Sequence, residues 1–503
     1  MTSARITSDP AFVVGPVRRR TFGSFVEHLG RCVYTGIHEP THPTADEDGF
    51  RQDVIDLTRE LGVSTVRYPG GNFVSGYRWE DGVGPVQERP VRLDLAWHST
   101  DPNTVGVDEF MRWAAKTGVE PMMAVNLGTR GIQEALDLLE YSNIRSGTAF
   151  SDQRIANGTK DPHGIRMWCL GNEMDGPWQT GHKTAAEYGR LANETANAMR
   201  MVDPDLELVA CGSSNSSMPT FGNWEREVLT ETYNNVDLIS AHAYYEEFDG
   251  DLDSFLASAV DMDGFIESVV ATADAVRAAG RHTKRINISF DEWNVWYNSR
   301  LEDEMPKGED WPVAPRLLED QYNVADAVVV GSLLISLLRH TDRVHSASQA
   351  QLVNVIAPIM TEPGGRSWRQ TIFHPFAQAA KYAKGDVLRP VLSSETYETK
   401  RYGTVPLVDA VATYDAETGE TVIFAVNRST SASIPLEVDL RAHGLTLIEA
   451  TSYSHSDPYW QATADDATTV LPVANASAAV TADGGVSAEL PPTSWNMLRL
   501  GRA

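Results

Sequence analysis

From about residue 21 to about residue 384, short runs rich in Val, Ile and Phe alternate with stretches of helical period. That alternation constrains the fold more than any other feature of the chain. A strand buried on both faces reads as a continuous apolar run, and returning to a parallel neighbour takes a crossover helix, so the pattern is one of repeated βα units. Eight such runs fall at 21–27, 64–69, 120–127, 165–173, 206–213, 236–244, 286–292 and 344–351. Eight units favour a closed barrel over an open sheet. The predicted helices have matching ends. One over 53–61 stops at Gly62, one over 109–117 stops at Gly118, and one over 185–201 starts behind Thr184-Ala185-Ala186-Glu187, a capping box. The most apolar long run, 324–338, carries Asp326 and is too short to cross a bilayer, so it reads as a buried helix. Residues 300–317, rich in Pro, Glu and Asp and without a period, predict a long loop after the seventh strand, at the rim where barrel active sites lie.

Beyond about Gly385 the texture changes to alternating runs such as Thr421-Val422-Ile423-Phe424-Ala425-Val426, with turn signals at Ala416-Glu417-Thr418-Gly419 and Asp483-Gly484-Gly485. The expected organisation is therefore a catalytic barrel over 18–385 and an antiparallel β-sandwich over 386–503, with 1–17 packing on the sandwich and adding a strand to it. A chain of 503 residues exceeds what one core usually supports, in keeping with two domains. Lys and Arg total 42 against 69 Asp and Glu, a net charge of -27. Such a surface repels phosphate backbones and anionic membranes, which excludes nucleic acid and membrane as partners and favours a neutral ligand. The three cysteines, Cys32, Cys169 and Cys211, are too few and scattered for a disulfide framework, which fits a reducing compartment. No charged start followed by an apolar stretch opens the sequence, so the expected location is cytoplasmic.

Two of the apolar runs end in carboxylates: Ile165 through Glu173, and Ile286 through Asp291 and Glu292. At the C-terminal ends of barrel strands four and seven, Glu173 and Glu292 would face one cleft, where catalytic groups sit. Two facing carboxylates suit glycoside hydrolysis, one protonating the leaving oxygen and the other attacking or activating water. A lone Glu after an apolar strand serves equally well to cap the next helix or pair with Arg. The pair is harder to explain that way, because amide and aromatic residues flank both members: Asn172, Trp178, Trp293, Asn294 and Trp296. Asp291 remains an alternative to Glu292 on these grounds, since bulges shift strand parity.

Four stretches carry a specific resemblance: Phe22-Gly23-Ser24-Phe25-Val26-Glu27-His28-Leu29-Gly30, Val66-Arg67-Tyr68-Pro69-Gly70-Gly71-Asn72-Phe73, Trp168-Cys169-Leu170-Gly171-Asn172-Glu173-Met174-Asp175-Gly176-Pro177-Trp178, and Gln351-Leu352-Val353-Asn354-Val355-Ile356-Ala357-Pro358. In this order they resemble the α-L-arabinofuranosidases of glycoside hydrolase family 51, over nearly the whole chain. The resemblance implies a (β/α)8 TIM barrel with a C-terminal, jelly-roll-like β-sandwich and a retaining double displacement without cofactor or metal. It implies Glu173 as general acid/base and Glu292, rather than Asp291, as nucleophile. It places Glu27, Arg67, Asn72, Asn172, Tyr244 and Gln351 around a terminal arabinofuranose, with His242 close by and Trp178 stacking on the leaving-group side. It also implies a homohexamer. Taken singly, these residues have plainer readings. Arg67 and Glu27 read as structural ion-pair members, Asn72 as a turn former, and Tyr244 and His242 as core side chains; only the motif separates Tyr244 from Tyr245 and Gln351 from Gln349.

The expected activity is exo-acting hydrolysis of terminal α-L-arabinofuranosyl residues from arabinoxylan or arabinan oligosaccharides. A retaining β-xylosidase or endoglucanase is the nearest alternative, and an idle carbohydrate-binding protein on the same scaffold a more distant one. The loops after the strands, including 97–101 and 300–317, are expected to set linkage preference. His38-Glu39-Pro40-Thr41-His42 matches the zinc pattern H-E-x-x-H, but Pro40 forbids the helix that would put both histidines on one face. Cys169 reads as buried in mid-strand and inert, and no phosphate-cradling Gly-rich loop is present.

Overall fold

The computed structural model describes residues 3–440 and 444–502; residues 1–2, 441–443 and 503, which fall within the expected 1–17 and 386–503 segments, lie outside the described residues. Eight parallel strands close into a barrel: β1 Gly23–Phe25, β2 Thr65–Tyr68, β3 Glu120–Val125, β4 Met167–Leu170, β5 Glu207–Ala210, β6 Leu238–Tyr245, β7 Asn287–Val295 and β8 Val344–Gln349, with β8 pairing back to β1. All eight strands found by pattern are present, and most are shorter than their apolar runs. The runs extend past the hydrogen-bonded ladder because residues that plug the barrel ends are as buried as the strands themselves. Glu173 and Gln351 accordingly lie beyond the ends of β4 and β8, whereas Glu292 lies inside β7, which runs on to Val295.

The helices form where capping chemistry allows them. Gln52–Leu61 and Val107–Thr117 stop at Gly62 and Gly118, both left-handed (φ +82 and +79), a conformation that glycine adopts without a Cβ penalty. Ala185–Val202 starts at Thr184, whose hydroxyl accepts from Glu187 N at 3.3 Å while Glu187 Oε2 accepts from Thr184 N at 3.0 Å. The apolar run at 324–338 is helix Val324–Arg339, buried almost all round and wedged between barrel and sandwich. Its first amides, on Val324 and Ala325, donate to the carbonyls of Trp460 and Pro458, and Trp495 packs against Gly331. At its other end Arg339 bridges Asp263 of the barrel and Asp409 of the sandwich.

The sandwich consists of a seven-stranded and a five-stranded sheet. Where one added strand was expected from the N-terminal segment, there are two, one in each sheet. Ala4–Ser8 sits between Val391–Ser394 and Ile434–Leu440, and Val13–Pro16 extends the other sheet beside Asp386–Leu388. Residues 300–317 are irregular as expected except for the short helix Leu301–Glu304, continuing from a turn at Asn298–Arg300.

Candidate active site

The side chains at the C-terminal mouth of the barrel converge on one buried cluster. Arg67, in β2, donates from Nη1 to Glu292 Oε1 at 2.6 Å and from Nη2 to Asn172 Oδ1 at 2.7 Å. Tyr244, in β6, donates its hydroxyl to Glu292 Oε2 at 2.8 Å. Both oxygens of Glu292 are therefore fixed. Glu173, beyond β4 with φ +42, has Oε1 2.8 Å from His242 Nδ1, and its Oε2 accepts from Trp178 Nε1 at 2.7 Å. The indole of Trp178 is half exposed at the mouth. His242 turns its other nitrogen to Asp291 Oδ1 at 2.9 Å, which makes it a bridge between Glu173 and Asp291.

Asp291 and Glu292 are consecutive in β7, yet both side chains are engaged on the barrel's interior side. The reason is local. The pairing of β7 with β8 shifts register between Phe290 and Trp293, and that with β6 shifts at Ser240/His242, so the two-residue alternation is broken at these positions. Asp291 points to the deeper layer, 3.9 Å from Arg67 Nε and within reach of the Cys169 thiol, which donates to Oδ2 at 3.6 Å. Glu292 faces the mouth.

On the other wall Glu27 accepts three donors: Phe73 N at 2.8 Å and Trp97 Nε1 at 3.0 Å on Oε1, and Gln351 Nε2 at 3.0 Å on Oε2. Asn72 accepts from Asn172 Nδ2 at 3.3 Å. Two glycines bring this segment close. A Cβ on Gly70 (φ +155) would lie 2.6 Å from Glu27 Cγ, and one on Gly71 would lie 2.9 Å from Glu292 Oε1. Thus Glu27, Arg67, Asn72, Asn172, Glu173, His242, Tyr244, Glu292 and Gln351 share one site, with Trp178 at its edge. Sequence reasoning missed Gln179, which donates to Ser75 Oγ and to the Asn72 carbonyl, and the hold of Trp97 on Glu27; neither position carries a periodic or motif signal. Gln349, by contrast, donates to Asn294 inside the barrel at 3.2 Å.

Burial and neighbouring charge tune the titrating groups. Burial pushes the Glu292 carboxyl above its usual range, against the opposing pull of His242 and Arg67. Burial likewise raises Glu27 to about 8, although the Phe73 and Trp97 donors favour its charged form. For His242, burial alone would lower the pKa, but Glu292, Asp291 and Glu173 outweigh it and push it up to about 10. Asp291 is held low, because Arg67 and His242 outweigh its burial. One atom each from Glu173, His242 and Glu292 lie within 4.8 Å of one another, a spacing a metal ion accepts. A cation there would have to displace the His242 proton and face the Arg67 guanidinium, so the cluster's own charges oppose it. The acidic trio Asp46, Glu47 and Asp48 is already occupied by Lys116 Nζ at 2.6, 3.2 and 2.6 Å. In the His38 to His42 stretch, Glu39 pairs with Arg51 at 3.0 Å and His42 Nε2 meets the Gly365 carbonyl at 2.7 Å. The three cysteines are buried, and burial raises the Cys169 thiol, so none is a poised nucleophile.

Two carboxylates facing one cleft at the C-terminal mouth of a (β/α)8 barrel define the class of barrel glycoside hydrolases. Residues 57–266 match the Alpha-L-arabinofuranosidase 1 domain, residues 291–494 match the Alpha-L-arabinofuranosidase C-terminal domain, and an intracellular exo-α-(1→5)-L-arabinofuranosidase of Streptomyces lividans is 61% identical over 99% of this chain and 75% of its own. The chain belongs to the α-L-arabinofuranosidases of glycoside hydrolase family 51. An exo-α-(1→6)-L-arabinofuranosidase of Bifidobacterium longum is 56% identical, covering 99% of this chain and 98% of its own. The solved structure of a family 51 α-L-arabinofuranosidase from Bifidobacterium longum matches with a TM-score of 0.95 at 52% identity, with 99% of each chain covered.

Proposed function

We propose that the protein is an exo-acting, retaining α-L-arabinofuranosidase that hydrolyses terminal non-reducing α-L-arabinofuranosyl residues of arabinan and arabinoxylan oligosaccharides. The observation that carries the reading is the carboxylate spacing. An oxygen of Glu173 and one of Glu292 lie within 4.8 Å of each other, a close approach that supports the ~5 to 5.5 Å pairing of carboxyl groups in retaining enzymes.

In the first step Glu292 attacks the anomeric carbon while Glu173 gives its proton to the departing glycosidic oxygen, leaving a glycosyl ester on Glu292 and Glu173 ionised. In the second, Glu173 takes a proton from water as that water attacks the same carbon, which frees Glu292 and restores the acid. Arg67 and Tyr244 hold the Glu292 carboxylate in the plane of attack. His242, bonded to both Glu173 and Asp291, fixes the Glu173 carboxyl through both changes of charge. Glu27, Asn72, Asn172 and Gln351 offer hydrogen-bonding groups to sugar hydroxyls, and Trp178 an apolar face at the edge. The reaction needs no cofactor.

The domain limits that fit this reading are 18–385 for the barrel and 386–503 for the sandwich, with 1–17 part of the latter; the pairing of Ala4–Ser8 with Ile434–Leu440 supports them. A cytoplasmic location is supported by the intracellular relative of Streptomyces lividans, and no described helix is long and apolar enough to cross a membrane. A homohexamer follows from the family resemblance, and light scattering tests it. The function itself is tested by NMR of the first-formed sugar from an aryl α-L-arabinofuranoside. The α anomer is expected, and initial β product overturns the double displacement. Faster turnover of an aryl β-D-xyloside or a β-glucan than of the arabinofuranoside overturns the specificity.

A further inference from the structure

Glu27 Oε1 depends on two donors, the Phe73 amide and the Trp97 indole, and neither residue belongs to a barrel strand. Trp97 sits at the tip of a hairpin, Arg92–Asp94 paired with Ser99–Asp101, within the chain that follows β2. An indole carried on a hairpin reaches a buried carboxyl group at a fixed distance only if the hairpin is tied down. The tie is Asp101. Its Oδ2 accepts from His28 Nδ1 at 2.6 Å, while its Oδ1 accepts from the Tyr34 hydroxyl at 2.7 Å and from Asn103 N at 2.6 Å. His28 follows Glu27 in the chain, just beyond β1, and its Nε2 lies 2.8 Å from the hydroxyl of Tyr68, the last residue of β2. The same imidazole stacks on the Phe73 ring, with centroids 4.8 Å apart and planes 12° from parallel. Both donors to Glu27 Oε1 therefore lead back to His28, one through the stack and the other through Asp101.

The pair is built for a fixed geometry. Both side chains are buried. Burial would raise the Asp101 carboxyl, but His28 and the other donors outweigh it and hold it below the usual carboxylate range, so Asp101 accepts and His28 Nδ1 donates. The hairpin's remaining side-chain ties lead away from the barrel strands. Arg92 pairs with Asp81, His98 stacks on Trp311 at 3.7 Å, and Thr100 Oγ1 donates to the Trp311 carbonyl at 2.7 Å. Those partners lie outside the barrel strands themselves, so the bond from Asp101 to His28 is what references the hairpin to the barrel.

We infer that His28 and Asp101 are a positioning pair that sets Trp97 and Phe73 against Glu27 and so fixes the group that grips the terminal sugar. The inference rests on the reading of Glu27 as a sugar-binding group given above, and it adds two residues that act on the sugar only through others. That grip serves ground state and transition state alike, so loosening it raises KM and leaves kcat nearly unchanged. A pair that only stabilised the fold would lower the melting temperature and the active fraction, which reads as a fall in kcat.

The experiment is a double-mutant cycle on hydrolysis of an aryl α-L-arabinofuranoside, with thermal unfolding followed on the same samples. Trp97→Phe removes the indole N–H, and Asp101→Ala removes the tie; each is expected to raise KM about tenfold, the usual order for one lost hydrogen bond to a charged or buried group. In the Trp97→Phe background Asp101→Ala is expected to add less than about twofold, because the bond it positions is already gone. His28→Phe, which keeps a ring against Phe73 and drops the bond to Asp101, is expected to match Asp101→Ala and serves in the same cycle if that variant does not fold. KM values that multiply across the cycle overturn the inference, as does a loss confined to kcat or a His28→Phe enzyme with KM within twofold of wild type. A crystal structure of His28→Phe reads the pair without substrate: Trp97 Nε1 displaced from Glu27 supports the inference, and the bond kept at its original length overturns it. Absent turnover by the wild type would sink the enzymatic reading alone, leaving that structure to decide the pair.

Discussion

Gly71→Ala tests how tightly the site is built. A Cβ at this position would lie 2.9 Å from Glu292 Oε1 and 3.4 Å from both Asn172 Nδ2 and Phe25 Cζ. Ordinary contact begins near the latter distance, so the Glu292 oxygen has to retreat by about 0.5 Å, against an Arg67 bond of 2.6 Å on the same atom. A misplacement of ~1 Å at reacting atoms costs about 100-fold, so ~0.5 Å corresponds to about tenfold, or about 1.4 kcal/mol of barrier. The assay is steady-state hydrolysis of an aryl α-L-arabinofuranoside, with thermal unfolding measured on the same samples. The expected result is a fall in kcat of about tenfold with KM nearly unchanged, because the nucleophile moves while Glu27, Trp97 and Gln351 do not. Gly264→Ala, in helix Ala259–Gly280 with nothing within 4 Å of its Cβ, is the control. A Gly71→Ala enzyme within twofold of wild type refutes the claim that this glycine exists to admit Glu292.

Two further outcomes follow from charge and packing. Native His242 keeps its proton up to about 10, whereas an unfolded histidine releases it near pH 6.5. The native state binds more protons between those values, so this stability is complete below about pH 6.5 and is lost as pH rises toward 10. The slope approaches about 1.4 kcal/mol per pH unit. Glu27, raised to about 8, adds a loss of the same sign between about pH 4.5 and 8. Urea unfolding from pH 6 to 9 is expected to show the decline in wild type and a shallower one in His242→Gln; parallel slopes would count against the bridge. Gly331→Ala would place a Cβ 2.4 Å from Trp495 Cε3, and overpacking of this kind costs about 1 to 3 kcal/mol, more than the helix propensity gained. A lower melting temperature is expected, and an unchanged or higher one contradicts the close packing of helix Val324–Arg339 on the sandwich.

The barrel was legible because its physics is local. A strand buried on both faces must be apolar, and helix ends such as Thr184 and Gly118 carry their own capping chemistry. What was not legible depends on distant pairing. The run at 165–173 does not say that hydrogen bonding stops at Leu170 and leaves Glu173 in a left-handed turn. No pattern distinguishes Asp291 from Glu292, because the register shift that turns both inward is set by β6 and β8. The N-terminal strands, too, pair with segments hundreds of residues away and leave only a weak alternating trace. Within the site, motif resemblance picked out the residues around Glu292, while Gln179 and Asp291 act through neighbours that only the fold supplies.

The place of Ala4–Ser8 in the five-stranded sheet bears on how the protein is made. The strand lies inside the sheet, flanked on one side by Val391–Ser394 and on the other by Ile434–Leu440. During synthesis it emerges ahead of the barrel and must wait, with both edges unpaired, until the whole barrel has followed. A gene fragment starting at residue 386 would encode a sheet with a slot in it, open to a stray strand from another chain. The two domains therefore cannot be expressed separately by a single cut, and the opening residues belong, in any dissection, with the end of the chain.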